Sequence, residues 1–294
     1  MSATIKIRSS VAWLGLAYLL AGTSIVQAEF ELLFLDDFSK PAHRQREPYE
    51  ERIETERHDF TQSTKTVGRG VVQVEAGYSY FYKDEEEEIE STHATPEMLW
   101  RIGLSEDIEF RLRWNYGWRL VDDEEEKNAA ADLVWAFKLG MTEQGGCVPD
   151  SALEIRSTAP TGGNAWSTDQ VEFGLDYIYG WHLNERWELY GSTGFATDGL
   201  GEFSLLPDEP SSDRFTAWSQ SVALGAELTE RITMYSEYFG IFSHGLGDNF
   251  SINIFNIGVD FYLTDDWVFD VRAGVGLSPD SEDFFSGIGG GYRF

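Results

Sequence analysis

The chain is nearly without cysteine: Cys147 stands alone among 294 residues. A disulfide-stapled scaffold needs paired cysteines, so that class is excluded. Basic residues are scarce, with 22 Lys and Arg against 51 Asp and Glu, a formal charge of −29. A surface of that sign repels phosphate backbones, which excludes a nucleic-acid partner. Beyond the first 28 residues no stretch of 18 consecutive apolar residues occurs, so no transmembrane helix is expected. Aromatic residues, by contrast, are abundant at 15%, and a wholly disordered chain does not fit that content.

Residues 1–28 read as a secretory signal peptide. Lys6 and Arg8 precede an apolar stretch from Val11 to Leu20, and Val26-Gln27-Ala28 offers small residues at the cleavage positions. The apolar core is too short for an anchor. Loss of Lys6 and Arg8 takes the formal charge from −29 to −31. Residues 29–69 are polar and irregular, with Pro41, Pro48 and the run Glu50-Glu51-Arg52, and read as a periplasmic segment or linker.

From Gly70 onward the pattern has period two. Ile108, Phe110, Leu112, Trp114, Tyr116, Trp118 and Leu120 share one face, and Glu109, Arg111, Arg113, Asn115, Gly117 and Arg119 the other. Such alternation marks strands. About twelve follow, over 70–82, 95–104, 108–120, 129–141, 151–160, 169–182, 187–198, 213–228, 231–243, 250–263, 267–277 and 284–294. Their connections fall in two classes. One repeats a short turn: Leu104-Ser105-Glu106-Asp107-Ile108, Leu183-Asn184-Glu185-Arg186-Trp187, Leu228-Thr229-Glu230-Arg231-Ile232 and Leu263-Thr264-Asp265-Asp266-Trp267. The other is longer and often acidic, at 83–92, 121–128, 161–168, 199–212, 244–249 and 278–283.

Short turns on one side and long loops on the other describe an all-β transmembrane antiparallel up-and-down barrel over residues 70–294, in the outer membrane. A sheet can span lipid only when closed. Outward apolar residues then meet lipid, and Trp118, Trp181, Trp187, Trp218 and Trp267 suit the interfacial girdles. Inward positions carry Glu97, Arg101, Arg111, Arg113, Asp132, Lys138, Glu154, Arg156, Glu172, Asp176, Glu227, Glu237, Asp260, Asp270 and Arg293. A soluble β-sandwich is the alternative, its polar face in solvent. The row Ile288, Gly290, Tyr292 and Phe294 looks like the terminal signal read by the barrel-assembly machinery, with Tyr292 and Phe294 as its aromatics.

Three stretches resemble the outer-membrane family of the MetA pathway of phenol degradation. They are Glu54-Thr55-Glu56-Arg57-His58-Asp59-Phe60-Thr61 running on to Val67–Tyr78, then Leu99–Leu104 with Ile108–Leu112, then Ala159-Pro160-Thr161-Gly162 with the repeated turns. His58 departs from the pattern, where relatives are expected to have proline. The resemblance implies an outer-membrane barrel of transporter type. It supplies no catalytic residue, cofactor or substrate.

Catalysis finds little support. The five histidines are His43, His58, His93, His182 and His244, and only His182 is expected on a strand, beside a turn. No nucleophile elbow is present. The acidic runs Asp84–Glu88 and Asp122–Glu126 lack the spacing of a calcium loop, which leaves diffuse divalent-cation binding. Passage of small solutes is the leading reading, with a non-conducting structural or adhesive barrel as the alternative. Phe81, Leu99, Tyr190, Tyr235, Phe239 and Tyr262 give the lumen apolar patches that suit small organic or aromatic compounds. Register from the short turns sets Arg101 opposite Arg111, followed by Lys138, with Arg113 alongside, as a basic wall. Across the lumen Glu237, Asp260 and Asp270 form an acidic one. The two would act as a transverse field on solutes. In the alternative these charges pair and close the lumen, beginning with Glu154 beside Lys138.

Overall fold

A computed structural model describes residues 51–57, 60–85, 88–163, 166–167, 169–197, 216–243 and 250–294. The signal peptide, residues 29–50, His43, His58, His244 and the loops at 199–212 and 244–249 lie outside these.

The strands are β1 (Val72–Glu85), β2 (Glu88–Gly103), β3 (Ile108–Val121), β4 (Glu124–Ala130), β5 (Leu133–Thr142), β6 (Asp150–Ala159), β7 (Phe173–His182), β8 (Trp187–Thr197), β9 (Thr216–Thr229), β10 (Ile232–Ser243), β11 (Phe250–Thr264), β12 (Trp267–Gly276) and β13 (Phe284–Arg293). All neighbours pair antiparallel. β1 bonds both β2 and β13, and β2 bonds β3, so the sheet closes into a ring, with β4 pairing to β3 alone. β4 and β5 lie end to end along β3 and make one stave. The ring therefore has twelve staves, which is the barrel expected from the alternation.

The barrel is inside out relative to a sandwich. Charged side chains such as Arg101, Arg111, Lys138, Glu75 and Glu109 are the buried ones. Trp135, Phe137, Ile155, Val222, Ile257 and Phe269 are exposed on the outer wall. A soluble fold would expose the first set to water and bury the second. Lipid reverses the preference.

The repeated turn is a repeated structure. Leu104 and Ser105 donate backbone N–H groups to Ile108 O, and Leu183 and Asn184 do the same to Trp187 O. In three of the turns the second residue's side chain accepts the N–H two positions on: Asn184 from Arg186, Thr229 from Arg231 and Thr264 from Asp266. This is what Asn and Thr do in such turns, and it holds the register of the strands they join. The leading Leu104, Leu183, Leu228 and Leu263 all point out of the wall. This side of the barrel, which also carries Val72 and Phe294, is the turn end; the opposite side is the loop end.

Two connections differ from expectation. Residues 83–85, 88–92, 121 and 124–128 are strand rather than long loop. β1 and β2 continue pairing through Lys83↔Glu90 and Asp84↔Ile89 to Glu85↔Glu88. β3 and β4 are joined by Asp122 and Asp123, both at positive φ (50° and 67°), the conformation of a tight hairpin turn that Asp tolerates. Backbone pairing in water needs no apolar face, so charged residues can extend a hairpin as a ribbon. The stave expected over 129–141 is broken at Ala131-Asp132. There the loop after β6 docks: Gly162 N–H and Ser167 Oγ–H both donate to Asp132. That anchored loop also delays β7 to Phe173, four residues later than the alternation placed it.

The segment read as a linker is the larger surprise. Its described part, residues 51–57 and 60–69, lies inside the barrel. It enters at the turn end, where Ile53 N–H donates to Asp265 O. It rises to Phe60 and Thr61, which meet Glu237 and Phe239 of β10. It then returns, Thr66 Oγ1–H donating to Glu106 O in the first turn, before joining β1.

Candidate functional site

The lumen is a wall of alternate residues and an occupant, and their charges meet. Glu56 of the occupant receives cations from three strands: Arg101 of β2 at 3.2 Å, Lys138 of β5 at 2.7 Å, and Arg111 of β3. Glu109 of β3 accepts Arg101 Nε at 2.7 Å and Nη2 at 3.0 Å, and Arg111 Nε at 2.7 Å. Glu154 of β6 takes Arg111 Nη1 at 2.6 Å. Arg101 also donates to the backbone oxygens of Glu54 and Lys65. Burial by itself would raise the Glu56 carboxyl, but Arg101, Arg111 and Lys138 together hold it well below the usual carboxylate range. Glu56 is therefore an ionised keystone.

Arg57 points the other way. Its guanidinium pairs with Glu97 of β2 at 2.9 Å and with Asp270 of β12. Its backbone N–H and that of Glu56 both donate to Glu75 of β1. Glu237 accepts Thr61 N–H at 2.5 Å, Phe60 N–H at 3.2 Å and Asn256 Nδ2–H at 2.8 Å. Phe60 stacks on Phe239 with centroids 4.7 Å apart and meets Phe285 edge-on.

The expected register holds: Arg101 faces Arg111, Lys138 faces Glu154, and Asp260 faces Asp270. The side chains do not form two bare walls, however. Arg101, Arg111 and Lys138 are gathered round Glu56 and Glu109. Glu237 and Asp270 are engaged by the occupant. Arg113 is half-buried, within electrostatic range of Glu154 and Asp176. Asp260 lines a cavity of roughly 180 Å³ at the turn end, with Tyr190, Tyr235 and Tyr262. Over Tyr262 lies the Arg52 guanidinium, 3.8 Å from the ring centroid. Glu109 was legible as an inward neighbour of Arg111, and its sign contradicts a purely basic wall. Nothing periodic marks Glu56, Arg57 and Phe60; in the sequence only the family resemblance of Glu54–Thr61 singles the segment out.

Toward the loop end the lumen turns apolar on one side. Phe81, Phe239, Ile241, Phe250, Ile252, Ile254 and Phe285 form one buried cluster with Phe60 against it. Of the remaining expectations, Tyr292 and Phe294 lie outward, their rings edge-on at 4.8 Å, and Phe294 N–H donates to Val72 O across the closing seam. His182, the strand-end histidine, is exposed near Asp150 and Glu188. Cys147 is exposed in its turn. Among the described residues no cluster of three metal-ligating side chains occurs.

A family profile described as "Putative MetA-pathway of phenol degradation" matches residues 55–294. The chain belongs to that family. The match begins within the lumenal hairpin, so the family pattern includes most of the described occupant as well as the barrel. No curated protein sequence matches the chain. Among solved structures, an outer membrane channel from Pseudomonas putida F1 aligns over 81% of this chain and 100% of its own, with a TM-score of 0.60 at 13% identity. The translocator domain of the autotransporter NalP from Neisseria meningitidis aligns over 77% and 89%, at 0.47 and 12% identity. The first likeness establishes a shared outer-membrane barrel fold.

Proposed function

We propose that this family member is an outer-membrane channel for small solutes, closed at its turn end by its own N-terminal hairpin. One observation carries the reading. The occupant is held in the turn-end half mainly by ion pairs and hydrogen bonds. A wall of Arg101, Arg111, Lys138, Glu109 and Glu154 can be rehydrated when the hairpin withdraws, whereas an apolar filling could not. Withdrawal then leaves a wet lumen, narrow for twelve staves. The P. putida protein of the same fold is described as a channel, which supports the reading. The apolar cluster around Phe239 and Phe285 favours small organic or aromatic compounds moving by passive diffusion. The exposed belt meets outer-membrane lipid, the Tyr292–Phe294 edge serves the assembly machinery, and the acidic ribbons gather diffuse divalent cations.

Single-channel recording tests this on the purified full chain and on Glu56→Gln. The proposal expects rare openings from the first and frequent ones from the second. Silence from both, with folding verified by heat-modifiable migration, overturns it. That result would favour the second reading, a non-conducting structural barrel, for which the many contacts of Glu56 are the supporting observation.

A further inference from the structure

The Arg57 guanidinium lies against the inner face of the wall, bounded by two carboxylates and two glycines. Glu97 lies on one side and Asp270 on the other. The wall opens around it through two glycines on adjacent strands: a Cβ at either Gly77 or Gly289 would collide with the guanidinium. Asp270 is 1% exposed, and its Oδ2 makes no hydrogen bond, so the carboxylate keeps acceptor capacity that Arg57 does not use. The Glu97 carboxylate is aimed by Ser79, whose Oγ–H donates at 2.6 Å, and Ser79 in turn accepts from Arg272 at 2.8 Å. Arg272, 3.9 Å from Glu97, lies over the Phe60 and Phe285 rings at 5.5 Å from each centroid, so aromatic faces adjoin the anionic slot with this second cation against them.

We propose that this socket is the lumen's solute-recognition site, that its ligands are planar organic cations of the amidinium or guanidinium type, best with an aromatic ring, and that Arg57 is its resident competitor. The inference rests on the channel reading and names the solute class. Two carboxylates facing a flat slot match a forked planar donor better than a spherical ion. The glycines on the floor exclude nothing once Arg57 leaves, and the phenylalanines beside it accept a ring. The large negative charge of the chain raises the local concentration of cations at its mouth.

Benzamidine is the probe, titrated by calorimetry at fixed salt into folded barrels in detergent. Arg57→Ala vacates the socket and should bind benzamidine at least about tenfold more tightly than the wild type, whose socket is filled. Adding Glu97→Gln and Asp270→Asn should remove that gain. Should Arg57→Ala fail to fold, Arg57→Gln, which keeps donors but not charge, should give a smaller gain with the same dependence on Glu97 and Asp270. Equal affinity in all variants overturns the inference, as does a gain that survives loss of both carboxylates. Binding is read without conduction, so the two readings separate. A barrel that binds but never conducts defeats the channel and keeps the socket; one that conducts but never binds defeats the socket alone.

Discussion

The two halves of the lumen are both buried, yet they are built on opposite principles. At the turn end, cations from β2, β3 and β5 close on carboxylates of the hairpin and of the wall. At the loop end, β1, β10, β11 and β13 supply Phe and Ile. An ionic interior gains little net stability over an apolar one but loses much when a single partner is removed, because the charges left behind stay desolvated. An apolar interior loses in proportion to the area and volume taken away. The turn end thus specifies where the hairpin sits, and the loop end adds cohesion without selecting a partner.

The comparison is broken most directly at Glu56. Glu56→Ala leaves Arg101, Arg111 and Lys138 with one carboxylate fewer, and should cost about 3–5 kcal/mol. The readout is the temperature midpoint of heat-modifiable migration, with proteolysis of residues 51–69 as a second. A variant as stable as the wild type, its hairpin still protected, would refute the keystone role.

Phe239→Ala is the matched change in the other half. It removes the stack with Phe60 and a buried ring, and should cost about 3 kcal/mol or somewhat less. The hairpin should stay seated, because its ion pairs are intact. If Phe239→Ala frees residues 51–69 to protease while Glu56→Ala does not, the roles of the two halves are exchanged.

Much of this was legible in the sequence, and the rest has a physical reason for being hidden. Alternation over Ile108–Leu120 and the repeated turns define strands, faces and register, because a period of two leaves one choice of inward face. Hence the short turn at 264–266 is enough to set Asp260 opposite Asp270. The hairpin could not be found this way. It has no period, and Arg57 meets partners 40 and 213 positions away, at Glu97 and Asp270. The acidic ribbons were concealed by the opposite error. Glu85 and Glu88 look like loop because apolar alternation stops there, although the backbone ladder does not.

Ion selectivity sharpens the comparison at smaller scale. Arg111→Ala removes a cation that three glutamates surround, and should move the reversal potential toward cation selectivity. Asp260→Asn, at the turn-end cavity, should move it the other way and less. Equal potentials in wild type and both variants would mean that neither charge is seen by permeating ions.

The smallest effect distinguishes the halves by pH. Glu282 lies in the loop between β12 and β13. Burial pushes its carboxyl up to about 7, aided by Glu90 and Asp283 and opposed by Lys83 and Arg119. A carboxyl raised in the folded state contributes stability that is complete below its unfolded value near 4.5 and is lost as pH rises through about 7. Glu56 has the opposite sign: held low by its three cations, it contributes above its unfolded value near 4.5 and is lost only in stronger acid. Between pH 5 and pH 8, therefore, the loop at 277–283 should loosen while the hairpin stays in place. Hydrogen exchange measured across that range, corrected for intrinsic rates, should show lost protection at 277–283 and none at 51–57. Glu282→Gln should flatten the response, since an amide stays neutral at every pH. Loss of protection at 51–57 over the same range would show that the ionic half also titrates near neutrality, and that the two halves are not held by different physics.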